Sequence, residues 1–173
     1  KIAWHAGKSK WKNFTNINES SIGIELVNKG HKYGYEKFTK SQINCLIQIS
    51  LKLKKKYKIE NSNIIGHSDI APFRKQDPGE KFPWKKLNKK NIGIWYKNLK
   101  LKPKKLTNKK INNLFFNNLY KIGYRYFNKN KRSKKDTYLI KAFQRRFNQK
   151  NITGVVDTKT FIISHFLALN IKN

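Results

Sequence analysis

The sequence predicts an α/β fold, a mixed central sheet flanked by helices, followed by a small three-helix unit. Three observations predict it. Two short β-branched runs bracket a long amphipathic stretch. A basic, Pro-containing segment follows. Beyond that segment the chain carries three successive helical patterns.

The first run, Ser21-Ile22-Gly23-Ile24-Glu25-Leu26-Val27, is bounded by Asn and Gly and reads as a strand. Residues 39–57 read as a helix. Thr39 and Gln42 have the spacing of a capping box, in which each side chain satisfies the other's backbone N–H. Ile43, Leu46, Ile47, Ser50, Leu51 and Leu53 fall mostly on one face, and Lys54-Lys55-Lys56 sits in the last turn, where cations suit the helix dipole. Asn63-Ile64-Ile65-Gly66-His67 reads as a second buried strand, and 68–84 as a loop punctuated by Pro72, Pro78, Gly79 and Pro83.

The expected organisation is a first domain over 1–97, a linker over 98–105 and a helical domain over 106–173. The first late helix starts at Thr107 and carries Ile111, Leu114, Phe115, Leu119 and Ile122. The second spans 136–147 with Leu139, Ile140, Phe143 and Phe147. The third follows Asp157, a good N-cap, with Phe161, Ile162, His165, Phe166 and Leu169. A helical unit of this size is near the lower limit for folding alone.

Composition sets the outer bounds. The chain has 173 residues, 38% of them hydrophobic and 13% aromatic, enough to build a core. No apolar run reaches the length of a membrane span. The one cysteine, Cys45, cannot form an internal disulfide and reads as a small buried side chain among Ile43, Leu46 and Ile47. A formal net charge of +31 favours anionic polymers. It does not by itself indicate nucleic acid. Lys greatly outnumbers Arg, the better residue for bidentate phosphate contacts, and the Lys/Asn/Ile bias is what AT-rich codons produce.

The segment from Ile65 to Trp84 carries the chemistry. It places His67 at a predicted strand end and Asp77 ten positions on. Imidazole and carboxylate suit zinc, although lone His and Asp residues are more often structural or solvated. The segment resembles the zinc-ligand motif of the type-2 N-acetylmuramoyl-L-alanine amidases, whose fold is shared by the peptidoglycan recognition proteins. Ile2-Ala3-Trp4-His5-Ala6-Gly7 is similar to that family's Trp-His-Ala-Gly segment, and Ser21-Ile22-Gly23-Ile24-Glu25 to its Ser-Ile-Gly-Ile-Glu strand. The likeness covers residues 2–97 and is nearest the lipoprotein branch that acts on anhydro-muropeptides; Gly93-Ile94-Trp95 agrees with that branch.

The resemblance implies a site. His67 and Asp77 would hold Zn2+, Glu25 would be the general base toward the attacking water and then protonate the leaving amine, and Lys75 would stabilise the oxyanion. His5, Trp4 and Arg74 would line the substrate groove. Asp69 reads as a loop-capping residue outside the ligand set, and His31 and His165 as ordinary. The family's third zinc ligand is a His upstream of the Trp-His-Ala-Gly segment, which a chain beginning at Lys1 does not contain. The sequence given therefore reads as N-terminally truncated. As it stands it is expected to hold zinc weakly, to hydrolyse little and to expose apolar surface at a sheet edge.

Ala142-Phe143-Gln144-Arg145-Arg146-Phe147, with Thr153-Gly154-Val155-Val156-Asp157-Thr158-Lys159-Thr160, resembles a peptidoglycan-binding three-helix module. It would hold the enzyme at the wall and raise the local substrate concentration. The implied partners are peptidoglycan and muropeptides, with no specific nucleic acid and a membrane reached only if an N-terminal anchor precedes Lys1. A monomer is expected in the bacterial envelope, periplasmic or attached to the outer membrane. Two other classes compete: a wall-binding remnant without catalysis, and a basic nucleic-acid binder. The last lacks any helix-turn-helix or zinc-finger spacing.

Overall fold

The computed structural model describes residues 2–97 and 107–171; the expected linker over 98–105 lies outside the described residues. A two-residue antiparallel pair, β1 (Lys10–Trp11) and β2 (Phe14–Thr15), opens the fold, with a 3-10 turn at Ile17–Glu19. Among the described residues six α-helices follow: α1 (Lys40–Tyr57), α2 (His67–Ile70), α3 (Trp84–Asn88), α4 (Asn108–Ile122), α5 (Asp136–Phe147) and α6 (Thr158–Asn170).

Helix α1 starts where the capping box puts it. The Thr39 side chain accepts from Gln42 N at 3.1 Å, and the Gln42 side chain accepts from Thr39 N at 2.8 Å. Ile43 and Leu46 are buried against Phe82, Trp84, Leu87 and Ile92. Cys45 lies off that face and is exposed, which corrects its expected burial. Its neighbours Ile43 and Leu46 point inward, and a residue between them on a 3.6-residue helix cannot do so as well.

The expected central sheet is not formed among the described residues, where β1–β2 is the whole of the sheet structure. A strand exists only with a partner for its ladder. Residues 21–27 have none there: Gln42 Nε2 donates to Val27 O at 2.7 Å, and Ile22, Ile24 and Val27 remain exposed. Around 61–67 the backbone is satisfied by turns and side chains instead. Asn61–Asn63 is a 3-10 turn, Ile64 O accepts from Arg146, Gly66 N donates to Asp69, and His67 begins a helix rather than ending a strand.

The three late helices form as the patterns indicate. Thr107 caps α4 through Lys110 N, and Asp157 caps α6 through Thr160 N at 2.7 Å. Leu139, Ile140, Phe143 and Phe147 of α5 are all buried. In α6 the buried face is Phe161, Ile163, Ser164 and Leu167, while Leu169 is exposed. The expected face was displaced because this helix is apolar almost all round, so periodicity cannot single out one stripe.

Gln144, fully buried, explains the polar members of the 142–160 motif. Its Nε2 donates to Val155 O and Thr160 Oγ1, and its Oε1 accepts from Gly154 N, fastening the 153–157 turn between α5 and α6. The main buried cluster is continuous across both halves of the chain. Ala6, Trp11, Ile17, Ile70 and Ala71 pack in one core with Phe115, Leu119, Tyr124, Phe143 and Leu167. Trp11 is the hinge pin of that junction. Its indole donates to Ser62 O at 3.2 Å and meets Tyr124 edge-on at 5.0 Å.

Candidate metal centre

His67 stands at the first position of α2, and Asp77 reaches it from the loop that follows. His67 Nδ1 lies 3.0 Å from Asp77 Oδ2, and Ser68 N donates to Asp77 O at 2.9 Å, so backbone as well as side chain closes the loop. His67 Nε2 faces Ala6 O at 3.3 Å. The ring is thus held between the Asp77 carboxylate and the Ala6 carbonyl, and a carbonyl behind the imidazole is a usual support of a metal-ligating His. Burial pushes the Asp77 carboxyl up. The His67 hydrogen bond and charge, with the nearby Lys75 ammonium, outweigh it and hold the group below its ordinary value. His67, Asp77 and Lys75 therefore form one electrostatic unit.

Zinc fits this donor set in kind. Two tetrahedral ligands each about 2.0–2.1 Å from the ion stand about 3.3 Å apart, close to the observed 3.0 Å. No group of three or more His, Cys, Asp or Glu side chains suited to a metal occurs among the described residues. His67 and Asp77 thus supply two donors where a catalytic zinc site has three.

The remaining expected residues are placed unequally. His5 bridges outward, its Nε2 2.7 Å from Ser21 Oγ and its Nδ1 2.8 Å from Ala3 O. Gly23 packs directly on the His5 ring, where an added Cβ would stand 2.7 Å from it, so a larger residue there would displace the imidazole. The segment carrying Glu25 is thereby attached to the same 5–6 stretch whose Ala6 carbonyl meets His67. Glu25 itself is exposed and makes no hydrogen bond among the described residues. Trp4 is 87% exposed. Arg74 is exposed, and its guanidinium folds back onto the chain to donate to Ala6 O and, at 3.1 Å, to Lys8 O.

Sequence reasoning missed the supports. Asn18 Oδ1 accepts from the backbone N–H of His5, Ala6 and Gly7, at 3.1, 2.6 and 3.2 Å, and so pins the segment behind His67. Asp69 caps Gly66 N at 2.8 Å, as its loop position suggested, but is also fully buried against the C-terminal helices. Above the loop, Tyr35 donates to Pro78 O at 2.7 Å and accepts from Lys81 N at 2.9 Å; burial pushes its phenol up to about 12. His31 pairs with Glu80 at 3.0 Å. Nothing in the local pattern of these residues separates them from the surrounding polar surface.

The chain is similar to known amidases. The family model for N-acetylmuramoyl-L-alanine amidase matches residues 1–80. N-acetylmuramoyl-L-alanine amidase AmiD of Escherichia coli is 44% identical over 100 residues, which is 54% of this chain and 36% of that protein. 1,6-Anhydro-N-acetylmuramyl-L-alanine amidase AmpD of Enterobacter cloacae is 40% identical over 88 residues, 51% of this chain and 45% of the relative. The match therefore spans less than half the length of either curated relative. The solved complex of the E. coli amidase AmiD with anhydro-N-acetylmuramic acid-L-Ala-D-gamma-Glu-L-Lys superposes with a TM-score of 0.83 at 31% identity. That superposition covers 96% of this chain and 68% of the other.

Proposed function

The chain belongs to the type-2 N-acetylmuramoyl-L-alanine amidase family, and from that premise we propose that it hydrolyses the amide between N-acetylmuramoyl, or anhydro-muramoyl, and L-alanine in peptidoglycan. The observation that carries the reading is the His67–Asp77 pair at 3.0 Å, with Ala6 O behind the imidazole and Lys75 beside the carboxylate.

His67 Nδ1 and Asp77 Oδ2 are the groups that would hold zinc. A zinc ion so held supplies Lewis acidity, which brings the pKa of water toward about 7 and polarises an amide carbonyl. The rest falls to the chain's own residues. Ala6 O, 3.3 Å from Nε2, backs the His67 ring and fixes its orientation. The Glu25 carboxylate takes a proton from the attacking water and returns it to the alanine nitrogen as the C–N bond breaks, leaving a carboxylate and a free amine. The Lys75 ammonium faces the oxygen on which negative charge develops. Arg74, spent on the carbonyls of Ala6 and Lys8, shapes the groove wall, and His5 and Trp4 face the glycopeptide. Residues 106–173 hold the enzyme on the wall, assisted by the net charge of +31 against an anionic polymer. The envelope is the compartment where this substrate is found.

The test is release of the L-Ala-led peptide from an anhydro-muramoyl tripeptide, with and without added Zn2+. Slow turnover that requires zinc and is lost in His67→Ala and Glu25→Gln is expected. Turnover indistinguishable from those variants overturns the reading.

A further inference from the structure

Asp69 lies two residues after His67 in the same short helix and is 1% exposed. Every contact that its carboxylate makes is a fixed one. Oδ2 accepts Gly66 N at 2.8 Å and Arg146 Nη1 at 2.5 Å, and Oδ1 accepts the Tyr124 hydroxyl at 2.5 Å. Burial, and then the Asp69 carboxylate, push the Tyr124 phenol well above its ordinary value, so it remains a donor. Arg146 is 2% exposed, donates also to Ile64 O at 2.9 Å, and lies over the Trp84 ring at 4.2 Å.

Two further side chains of the same stretch reach the rest of the loop. Arg145 donates to Gln76 Oε1 at 3.1 Å, next to Asp77, and Gln149 donates to Phe82 O at 2.7 Å. Residues 64–82 are thus gripped at four points from α5 and the turn after it.

A buried ion pair of this kind is a costly way to gain stability, because both charges lose their water. It is an effective way to fix one geometry, since both Asp69 oxygens and two Arg146 nitrogens are engaged at once. What it fixes here is the N-terminus of α2, where His67 projects.

We propose that Arg146 of α5 and Tyr124, just after α4, acting together on Asp69, are the positioning elements of the cation-holding pair, so that residues more than fifty positions downstream set the placement of the His67 imidazole. The cation-holding part of this inference rests on the function proposed above; the placement of the ring does not. Asp69, Arg146 and Tyr124 are positioning residues, since each acts through α2 and none faces the groove.

The test uses the full chain and three variants. Tyr124→Phe removes one hydrogen bond to Asp69 and keeps the ring. Arg146→Lys keeps the charge and loses the fork that spans Asp69 and Ile64. Ile163→Val loosens the same core from α6, where the residue is fully buried, and leaves every hydrogen bond to Asp69 in place. Two quantities are read: the His67 ring 15N and 1H signals in metal-free protein, and the affinity for Zn2+ by calorimetry.

Tyr124→Phe and Arg146→Lys are expected to shift the His67 signals and to weaken Zn2+ about 10- to 100-fold, as loss of a group supporting a ligand does. Ile163→Val should lower the melting temperature and change neither quantity. His67 signals unmoved in Tyr124→Phe and Arg146→Lys, or moved equally by Ile163→Val, overturn the proposal. Signals that move only in Tyr124→Phe and Arg146→Lys, in a chain that binds no Zn2+, uphold the positioning and defeat the cation reading instead.

Discussion

Replacing Trp11 with Ala tests whether the two halves of the chain melt as one body. Trp11 is 2% exposed, sits in the core cluster that includes Phe115, Tyr124 and Phe143, and donates to Ser62 O. Truncating a buried Trp costs about 3–5 kcal/mol, from lost burial plus the cavity left behind. For a chain of this length, 1 kcal/mol corresponds to about 2–4 °C. Trp11→Ala should therefore lower the melting temperature by roughly 6–20 °C in calorimetry. The decisive feature is the shape of the trace. A single core predicts one transition that moves as a whole, followed equally by near-UV signals from both halves. Two resolved transitions of which only the first moves, or a loss under about 1 kcal/mol, would refute the reasoning. Trp11→Phe keeps most of the packing and leaves Ser62 O without its donor, so it should cost roughly 1–3 kcal/mol.

Other outcomes follow from the loop around Asp77. Gly79 has φ +81°, and an added Cβ would stand 2.5 Å from Tyr35 Oη and 3.0 Å from His31 Cε1. Gly79→Ala should cost about 1–3 kcal/mol in chemical denaturation, through left-handed backbone and a displaced Tyr35. Burial pushes the Glu80 carboxyl up, but the His31 hydrogen bond and charge, with Arg145 nearby, outweigh it and hold the group below its ordinary 4.5. A depressed carboxyl stabilises the fold above its unfolded pKa and ceases to as the pH falls through its folded one. The melting temperatures of wild type and Glu80→Gln should therefore differ above pH 4.5 and converge as the pH falls below it, whereas a constant gap would contradict the pairing. Lys75→Met should lower kcat on an anhydro-muramoyl tripeptide by about 10²–10³, the usual effect of losing one oxyanion-stabilising group, with little change in KM.

Local signals carried much of this fold. Thr39 with Gln42, and Asp157 at a helix entrance, announce helix starts through side chains that bond within a few residues, so sequence alone contains them. The strands were different. Ser21–Val27 has β-branched composition, yet a ladder needs a distant partner that no local pattern specifies, and the described residues provide none. Cys45 and the α6 stripe failed for a related reason: a helix with apolar residues on several sides does not say which side meets the core. At the site, the family resemblance of the Ile65–Trp84 segment, more than spacing, pointed to His67 and Asp77, and the structure brings them to 3.0 Å. Arg146 and Tyr124 were invisible. One Arg among 40 basic residues carries no mark of burial, and its partner lies 77 positions away.

The account's central claim is that His67 and Asp77 form a cation-holding pair, and calorimetric titration of the full chain with Zn2+ tests it most directly. One bound ion per chain, lost in both His67→Ala and Asp77→Ala while their far-UV spectra match wild type, is the predicted result. Zn2+ binding of equal strength in wild type and both variants would contradict it.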